Sequence, residues 1–213
     1  MKHLIIVGAG GFGREMYGAA RQAVGYGETF DVKGFLDANA QALDGFQGYP
    51  PIVGTPADYV PQPDDVFITA LGSIASRRRC AAALEARGAT FIAIVDRTAF
   101  LGPNVTVGAG SFIARNASLT ADVTVGRHAC VFHGSSVGHD AVLGDFSHVY
   151  AQCAVGGAVK LGEGASVYPG AVIVPRRTVG ADAVVGAGSV AVLNVRAGET
   201  VVGNPARPVQ VMK

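Results

Sequence analysis

From Leu101 to Val185 every sixth residue is Leu, Ile or Val, fifteen consecutive positions without an insertion. The column begins Leu101, Val107, Ile113, Leu119 and closes on Ile173, Val179, Val185. A second column, two residues earlier, is mostly small, as in Ala99, Ser111, Ala117, Ala129, Ser135, Cys153 and Ala171. Neither the helical nor the strand period yields a strict six. A fixed period of this kind marks a repeat architecture, in which each unit buries its apolar face only against its neighbours. The physical reading is a triangular β-solenoid. Each hexad forms one side, three hexads form a coil, the aliphatics stack inside and the small residues fit where the chain turns. Residues 101–190 then make five coils. The repeat is expected to end near Asn194, and the tail Val201-Val202-Gly203-Asn204-Pro205-Ala206-Arg207-Pro208 is expected to leave the solenoid.

Residues 1–95 follow a different pattern. Strands are expected at His3–Val7, Val32–Leu36, Val66–Leu71 and Thr90–Val95, and helices at Arg14 to about Val24 and Ser76–Arg87, the latter stopped by Gly88. Alternating strands and helices of this length describe a small α/β, Rossmann-like domain with a parallel sheet. The expected division is therefore residues 1–95 and residues 96–213.

Composition closes off several function classes. Glycine is high, 30 of 213 residues, but without a G-X-Y period, and only 15% of residues are charged, which argues against collagen and against disorder. The net charge of +1 carries no electrostatic footprint for nucleic acid. The one basic cluster, Arg77, Arg78 and Arg79, reads as a solvated helix face. No apolar run approaches a membrane span and the start is no signal peptide. Three widely spaced cysteines, Cys80, Cys130 and Cys153, form neither a disulfide framework nor a zinc pattern, so a reduced, cytoplasmic protein is expected.

Four of the five histidines, His128, His133, His139 and His148, crowd into one short stretch of the repeat. No two are three hexads apart, so none stacks on another in successive coils, and no metal site is expected within one chain. His139 lies two positions after the inward Val137, which places it outward near a corner. Neutral imidazole accepts a proton near pH 7, so His139 is a candidate general base, with Asp140 beside it as an orienting acid. Gly156 and Gly157 fall one coil beyond Gly138 and His139. Open backbone there admits a ligand closely, and the Gly157 amide is a candidate oxyanion donor. Phe132, Tyr150 and Tyr168, each three hexads apart, should form an aromatic ladder on one outer face, of the kind that packs against a partner. Near the start, Gly8-x-Gly10-x-x-Gly13 follows a strand and opens a helix, and Asp37 ends the second strand, where a ribose-binding acid is expected. That is the dinucleotide fingerprint, on a domain whose size suits one nucleotide diphosphate at a helix N-terminus.

The hexads, the Gly203-Asn204-Pro205-Ala206 tail, the opening Gly-Ala-Gly-Gly-Phe-Gly-Arg-Glu and the segments Ser136–Asp140 and Gly144–His148 together resemble the hexapeptide-repeat sugar acyltransferases. The likeness is to the group of sialic acid O-acetyltransferase and the nucleotide-4-amino-sugar N-acetyltransferases. It implies a left-handed parallel β-helix, a homotrimer, and acetyl-CoA bound in the groove between neighbouring solenoids. It implies His139 as base with Asp140 as acidic partner, His148 near the acyl group, and cofactor contacts from the backbone at Gly157 and Ala187. It also implies that the first domain holds a nucleotide sugar through Gly8, Gly10, Gly11, Gly13 and Asp37. The chain departs from the family pattern at Gly138, where Glu is common, and at Phe132, where Asn is common. The resemblance implies that both positions lie near the acceptor sugar.

The expected function is acetyl-CoA-dependent acetylation of a nucleotide-linked amino sugar, through a His general base and a tetrahedral intermediate, in surface glycan synthesis. The alternatives are a sugar O-acetyltransferase, a NAD-dependent oxidoreductase and a non-catalytic solenoid scaffold.

Overall fold

The structure is a computed structural model that describes residues 1–209. Residues 210–213, the end of the expected second domain, lie outside the described residues. The chain divides into two compact units, Met1–Arg97 and the remainder from Thr98 onward.

The first unit has the order β1 (Lys2–Val7), α1 (Gly11–Ala20), β2 (Phe30–Leu36), β3 (Ile52–Gly54), β4 (Asp65–Thr69), α2 (Ile74–Glu85), β5 (Thr90–Phe91) and β6 (Ile94–Val95). Five of these strands form a parallel sheet in the order β3-β2-β1-β4-β5. Leu4, Ile5, Ile6 and Val7 are all fully buried, as a central parallel strand covered on both faces requires. The chain leaves β1 toward β2 on one side and pairs with β4 on the other, so the strand order reverses at β1. The crevice beyond the carboxyl ends of the strands at such a reversal is where open α/β sheets bind ligands.

Several local expectations are corrected. Helix α1 starts at Gly11, not Arg14, and ends at Ala20, not Val24. It ends early because Ala23 bridges to Asp96, and the Val24 N–H donates to the Val95 carbonyl at 2.9 Å. Helix α2 begins at Ile74, two residues before the expected start, with Ser73 Oγ accepting from the Ser76 N–H. The strand expected at Thr90–Val95 is split in two, and β3 was not expected. Arg77 does not lie on a solvated face: it is 0% exposed, with its Nε 3.4 Å from Thr69 Oγ1.

The second unit is a three-sided parallel β-helix. Each hexad is a two-residue strand whose second residue points inward. The first face stacks Leu101, Leu119, Val137, Val155, Ile173 and Ala191, the second runs from Val107 to Val179, and the third from Ile113 to Val185. The register is three hexads per coil throughout this stretch, and the inward residues from Ile113 to Val185 are buried.

Every turn has the same device. The residue three after each inward aliphatic is left-handed, from Asn104 (φ +56°) to Gly188 (φ +65°), fifteen in all. Asn, Asp and Gly tolerate that conformation best, and they fill ten of the fifteen turns. The glycines one residue after the aliphatics have a different cause. A Cβ at Gly102 would lie 2.7 Å from the Thr120 carbonyl oxygen, because the next coil's backbone passes there.

The repeat continues past its expected end. Val179 bridges to Val195, and Val184–Val185 pair with Thr200–Val201, so the last coil is two residues shorter than the rest. Thr200–Gly203 thus belongs to the solenoid. The chain then turns through a cis Asn204–Pro205 bond, and Ala206–Pro208 pairs antiparallel with Val201–Gly203.

Candidate active site

The turn Gly138–Ala141 joins the first and second faces. Asp140 takes the left-handed position at φ +59°, and this brings its carboxylate back to the preceding side chain. His139 Nδ1 lies 2.6 Å from Asp140 Oδ2. Adjacent residues do not meet by default, and here the turn makes them meet. Both side chains are open to solvent, at 69% and 61% exposure.

With Nδ1 engaged, Nε2 is the ring nitrogen left for chemistry. It faces Gly157 in the next coil, where a Cβ would sit 2.7 Å from it. The Gly157 N–H donates to no group among the described residues, whereas the neighbouring Ala158 N–H donates to the His139 carbonyl at 2.7 Å. Gly138 packs equally tightly, since a Cβ there would lie 2.5 Å from the Gly157 nitrogen. A ring nitrogen, a carboxylate holding the ring and an uncommitted amide therefore share one edge.

The structure does not gather every expected site residue there. His148 lies on the third face, which the triangular section sets opposite the edge carrying His139. It is 1% exposed, edge-on to Phe132 (5.4 Å between ring centroids) and to Tyr150 (4.9 Å). Phe132 and Tyr150 stack at 5.5 Å and 9°, Tyr168 follows edge-on at 5.0 Å, and Phe112 extends the ladder at 5.8 Å. Ala187 is exposed on the edge after the third face. Within one chain His139, Asp140, Gly138 and Gly157 are neighbours, while His148, Phe132 and Ala187 are elsewhere.

The glycine turn of the first unit separates into two kinds of glycine. A Cβ on Gly13 would lie 2.0 Å from the Gly8 carbonyl oxygen, and one on Gly8 (φ +107°) would lie 2.8 Å from the Ala70 oxygen. Those two are glycine for packing. Gly10 and Gly11 face open space, and Gly10 caps α1 without any side chain. Amides at such a terminus suit an anion. Asp37 has a structural task as well: Oδ2 accepts from the Ala9 N–H at 2.8 Å and Oδ1 from the Asn39 N–H at 2.9 Å. One turn into α1, the Arg14 guanidinium lies 3.7 Å over the half-exposed Phe46 ring, in the loop after β2. Sequence reasoning missed this pair. The only signal was an Arg directly after the third glycine of the fingerprint.

A cavity of about 220 Å³ lies in the second unit, between the last coil at Leu193–Val201 and the hairpin strand Ala206–Pro208. None of the expected site residues lines it. Among the described residues no three His, Cys, Asp or Glu side chains gather as a metal site, and no helix is long and apolar enough to cross a membrane.

Residues 3–84 match the family model of the PglD N-terminal domain. The chain is similar over 99% of its length to GDP-perosamine N-acetyltransferase from Caulobacter crescentus, solved as a His-to-Ala mutant in complex with CoA and GDP-perosamine. The identity is 25%, 98% of that chain is covered and the TM-score is 0.88. The acetyltransferase domain of PglB from Neisseria gonorrhoeae, in complex with acetyl coenzyme A, matches at 25% identity over 98% of this chain and 99% of its own, with a TM-score of 0.67. WeeI from Acinetobacter baumannii shares the fold at 24% identity, over 98% of this chain and all of its own, with a TM-score of 0.67. No curated protein is a significant sequence match. The chain is thus similar along its whole length to nucleotide-amino-sugar N-acetyltransferases of the hexapeptide-repeat kind, and its second unit has their left-handed β-helix fold.

Proposed function

We propose that the protein is an acetyl-CoA-dependent N-acetyltransferase acting on a nucleotide-linked amino sugar. The observation that carries this reading is the His139 edge: Nδ1 held by Asp140, Nε2 facing the next coil, and the Gly157 amide uncommitted. The two relatives at 25% identity, bound to CoA with GDP-perosamine and to acetyl coenzyme A, support the substrate class.

The geometry performs the reaction as follows. The sugar amine attacks the thioester carbonyl, and Nε2 of His139 takes the proton the nitrogen sheds. Asp140 holds the ring by Nδ1 and stabilises the imidazolium that forms. The Gly157 N–H donates to the developing oxyanion. Collapse of the tetrahedral intermediate breaks the C–S bond, and the thiolate of CoA takes its proton from the imidazolium. The nucleotide is held by the first unit, its phosphates at Gly10 and Gly11, with Asp37 toward the base or ribose.

The working enzyme is a homotrimer. His148 and Ala187 cannot reach His139 of their own chain. A neighbouring copy brings its third face, with His148, Phe132 and the 40% exposed Tyr168, to the His139 edge. That arrangement puts acetyl-CoA between solenoids.

Acetyl-CoA and a panel of nucleotide amino sugars, with free thiol followed over time, test the reading. Thiol release by the wild type and its loss in His139→Ala are expected. Full activity in His139→Ala overturns the assignment of the base. The same panel with hydroxyl-bearing nucleotide sugars separates N- from O-acetylation, and light scattering gives the oligomeric state.

A further inference from the structure

The segment 37–51, between β2 and β3, carries turns but no helix or strand. Loops of that length inside a small α/β unit usually have a task. Its two ends are fixed. The Asp37 N–H donates to the Gly54 carbonyl at 3.1 Å and the Phe35 N–H to the Pro51 carbonyl at 2.9 Å. The Tyr49 ring packs against Tyr17 of α1, with 5.5 Å between centroids, and against Phe35 at 6.4 Å. The middle of the segment is held differently. There Phe46 stands between Gly45 (φ +82°) and Gly48 (φ +80°), its N–H donating to the Leu43 carbonyl at 2.9 Å. The ring is 49% exposed, and the Arg14 guanidinium lies 3.7 Å over it.

Arg14 sits one turn into α1, its backbone N–H donating to the Gly10 carbonyl at 3.0 Å. Helical side chains lean toward the N-terminus of their helix, so a long one here runs back toward the Gly10–Gly11 end. No acidic residue stands in the first turn of α1. Arg14 is half-buried, yet among the described residues no carboxylate pairs with its guanidinium. The contact with Phe46 has a chemical consequence. The five N–H donors of a guanidinium lie in its plane, and a ring touches that plane from above. Stacking therefore fixes the direction of the group and leaves its donors free.

We infer that Arg14 reads the second phosphate of the nucleotide and that Phe46 positions it, so that the first unit selects nucleoside diphosphates over monophosphates. This rests on the reading that the phosphates of a nucleotide sugar lie at Gly10 and Gly11. The amides at that end of α1 form one anion site and take one phosphate. Arg14 starts one helical pitch away, about 5.4 Å, and its side chain leans back over that distance. A second phosphate beside the first comes within reach of a fork that Phe46 already aims. Paired N–H donors match phosphate oxygens, and a donor ordered before binding loses less freedom when it binds. A monophosphate fills the amide end and gains nothing from the guanidinium.

Calorimetry of the full chain with UDP, GDP, CDP and dTDP, each against its monophosphate, tests the inference without any acetyl transfer. The wild type is expected to bind its preferred diphosphate about tenfold more tightly than the matching monophosphate, the worth of one charge-assisted contact. Arg14→Ala should abolish that ratio by weakening the diphosphate alone. Arg14→Lys keeps the charge without the fork and should recover only part of it. Phe46→Leu should weaken the diphosphate about two- to fivefold, and Phe46→Tyr, which keeps the ring face, should restore it. In the thiol assay the same variants should raise KM for the nucleotide sugar, with kcat and KM for acetyl-CoA held. A wild type that binds mono- and diphosphates alike overturns the inference, as does an Arg14→Ala variant that weakens both equally or neither. Phe46→Tyr binding no better than Phe46→Leu overturns the positioning role of the ring. A diphosphate preference that Arg14→Ala abolishes, in a protein that transfers no acetyl group, sinks the proposed reaction and leaves Arg14 in its role. No nucleotide binding by the wild type sinks both.

Discussion

Nε2 of His139 faces Gly157 across one coil, so closely that a Cβ on Gly157 would lie 2.7 Å from it. The ring stands where the next coil's side chain would otherwise be. Gly157 does not sit at a positive φ, so its backbone accepts alanine and only the ring must move. Gly157→Ala is therefore expected to leave the melting temperature almost unchanged and to lower kcat by roughly 10- to 100-fold, the cost of a displaced catalytic group. An unchanged kcat would show that the ring works from another position.

Asp140 holds that ring from the other side, and its own left-handed backbone suits asparagine as well as aspartate. Asp140→Asn should fold normally and lose about 10- to 100-fold in kcat, less than the loss of a buried orienting carboxylate. The loss is smaller because water screens a pair exposed at 69% and 61%. Circular dichroism beside the thiol assay checks both halves of the statement.

The glycine turn gives a paired test in the first unit. Gly13→Ala drives a methyl group onto the Gly8 carbonyl oxygen, 2.0 Å away, and should unfold or strongly destabilise this unit. Gly11→Ala meets open space at the start of α1 and should leave stability unchanged or slightly raised. Its effect should fall on KM for the nucleotide sugar, with KM for acetyl-CoA unaltered. Thermal melts and the two KM values separate the glycine that packs from the glycine proposed to bind.

A buried network sets the acid stability of the same unit. Asp65, whose side chain is 1% exposed, accepts from Lys33 Nζ at 2.8 Å, Tyr59 OH at 2.7 Å and the Gln62 N–H at 2.9 Å. Burial pushes its carboxyl up, but the hydrogen bonds from Lys33, Tyr59 and Gln62 outweigh it and hold the group below the usual carboxylate range. A depressed carboxyl stabilises the fold above its unfolded value, near 3.9, and that contribution is lost as pH falls through the lower folded value. Urea unfolding should accordingly show stability falling below about pH 4. Asp65→Asn should flatten this dependence and cost about 2–3 kcal/mol near neutrality, because it strips the charge from a buried carboxylate that holds the half-buried Lys33 ammonium.

The solenoid was legible because its information is local and repeated. Each hexad chooses its own inward residue, and stacking every third hexad follows by arithmetic, so the aromatic ladder and the approach of Gly157 to His139 could be placed in advance. Three of the first unit's strands, β1, β2 and β4, were legible from short apolar runs, whereas β3 was not. Its helix ends were not, since α1 stops where Val24 bonds to Val95, a partner from the far end of the unit's chain. Arg77 looked like one of three surface arginines, and only the packing of α2 onto β4 buries it.

The six-residue period by itself determined the coil, the inward core and the edge on which His139 stands, because a strict period leaves one way to stack the chain. It also places many of the glycines one residue after an inward aliphatic, as at Gly102, Gly126 and Gly144. The tertiary structure decided what no period encodes. It turned the Asp140 carboxylate onto His139 through a left-handed turn, committed Asp37 to the Ala9 amide, and set His148 on the face opposite the His139 edge. Each of these depends on the direction a side chain takes after the backbone is set, and that is fixed by neighbours the sequence brings near only through folding.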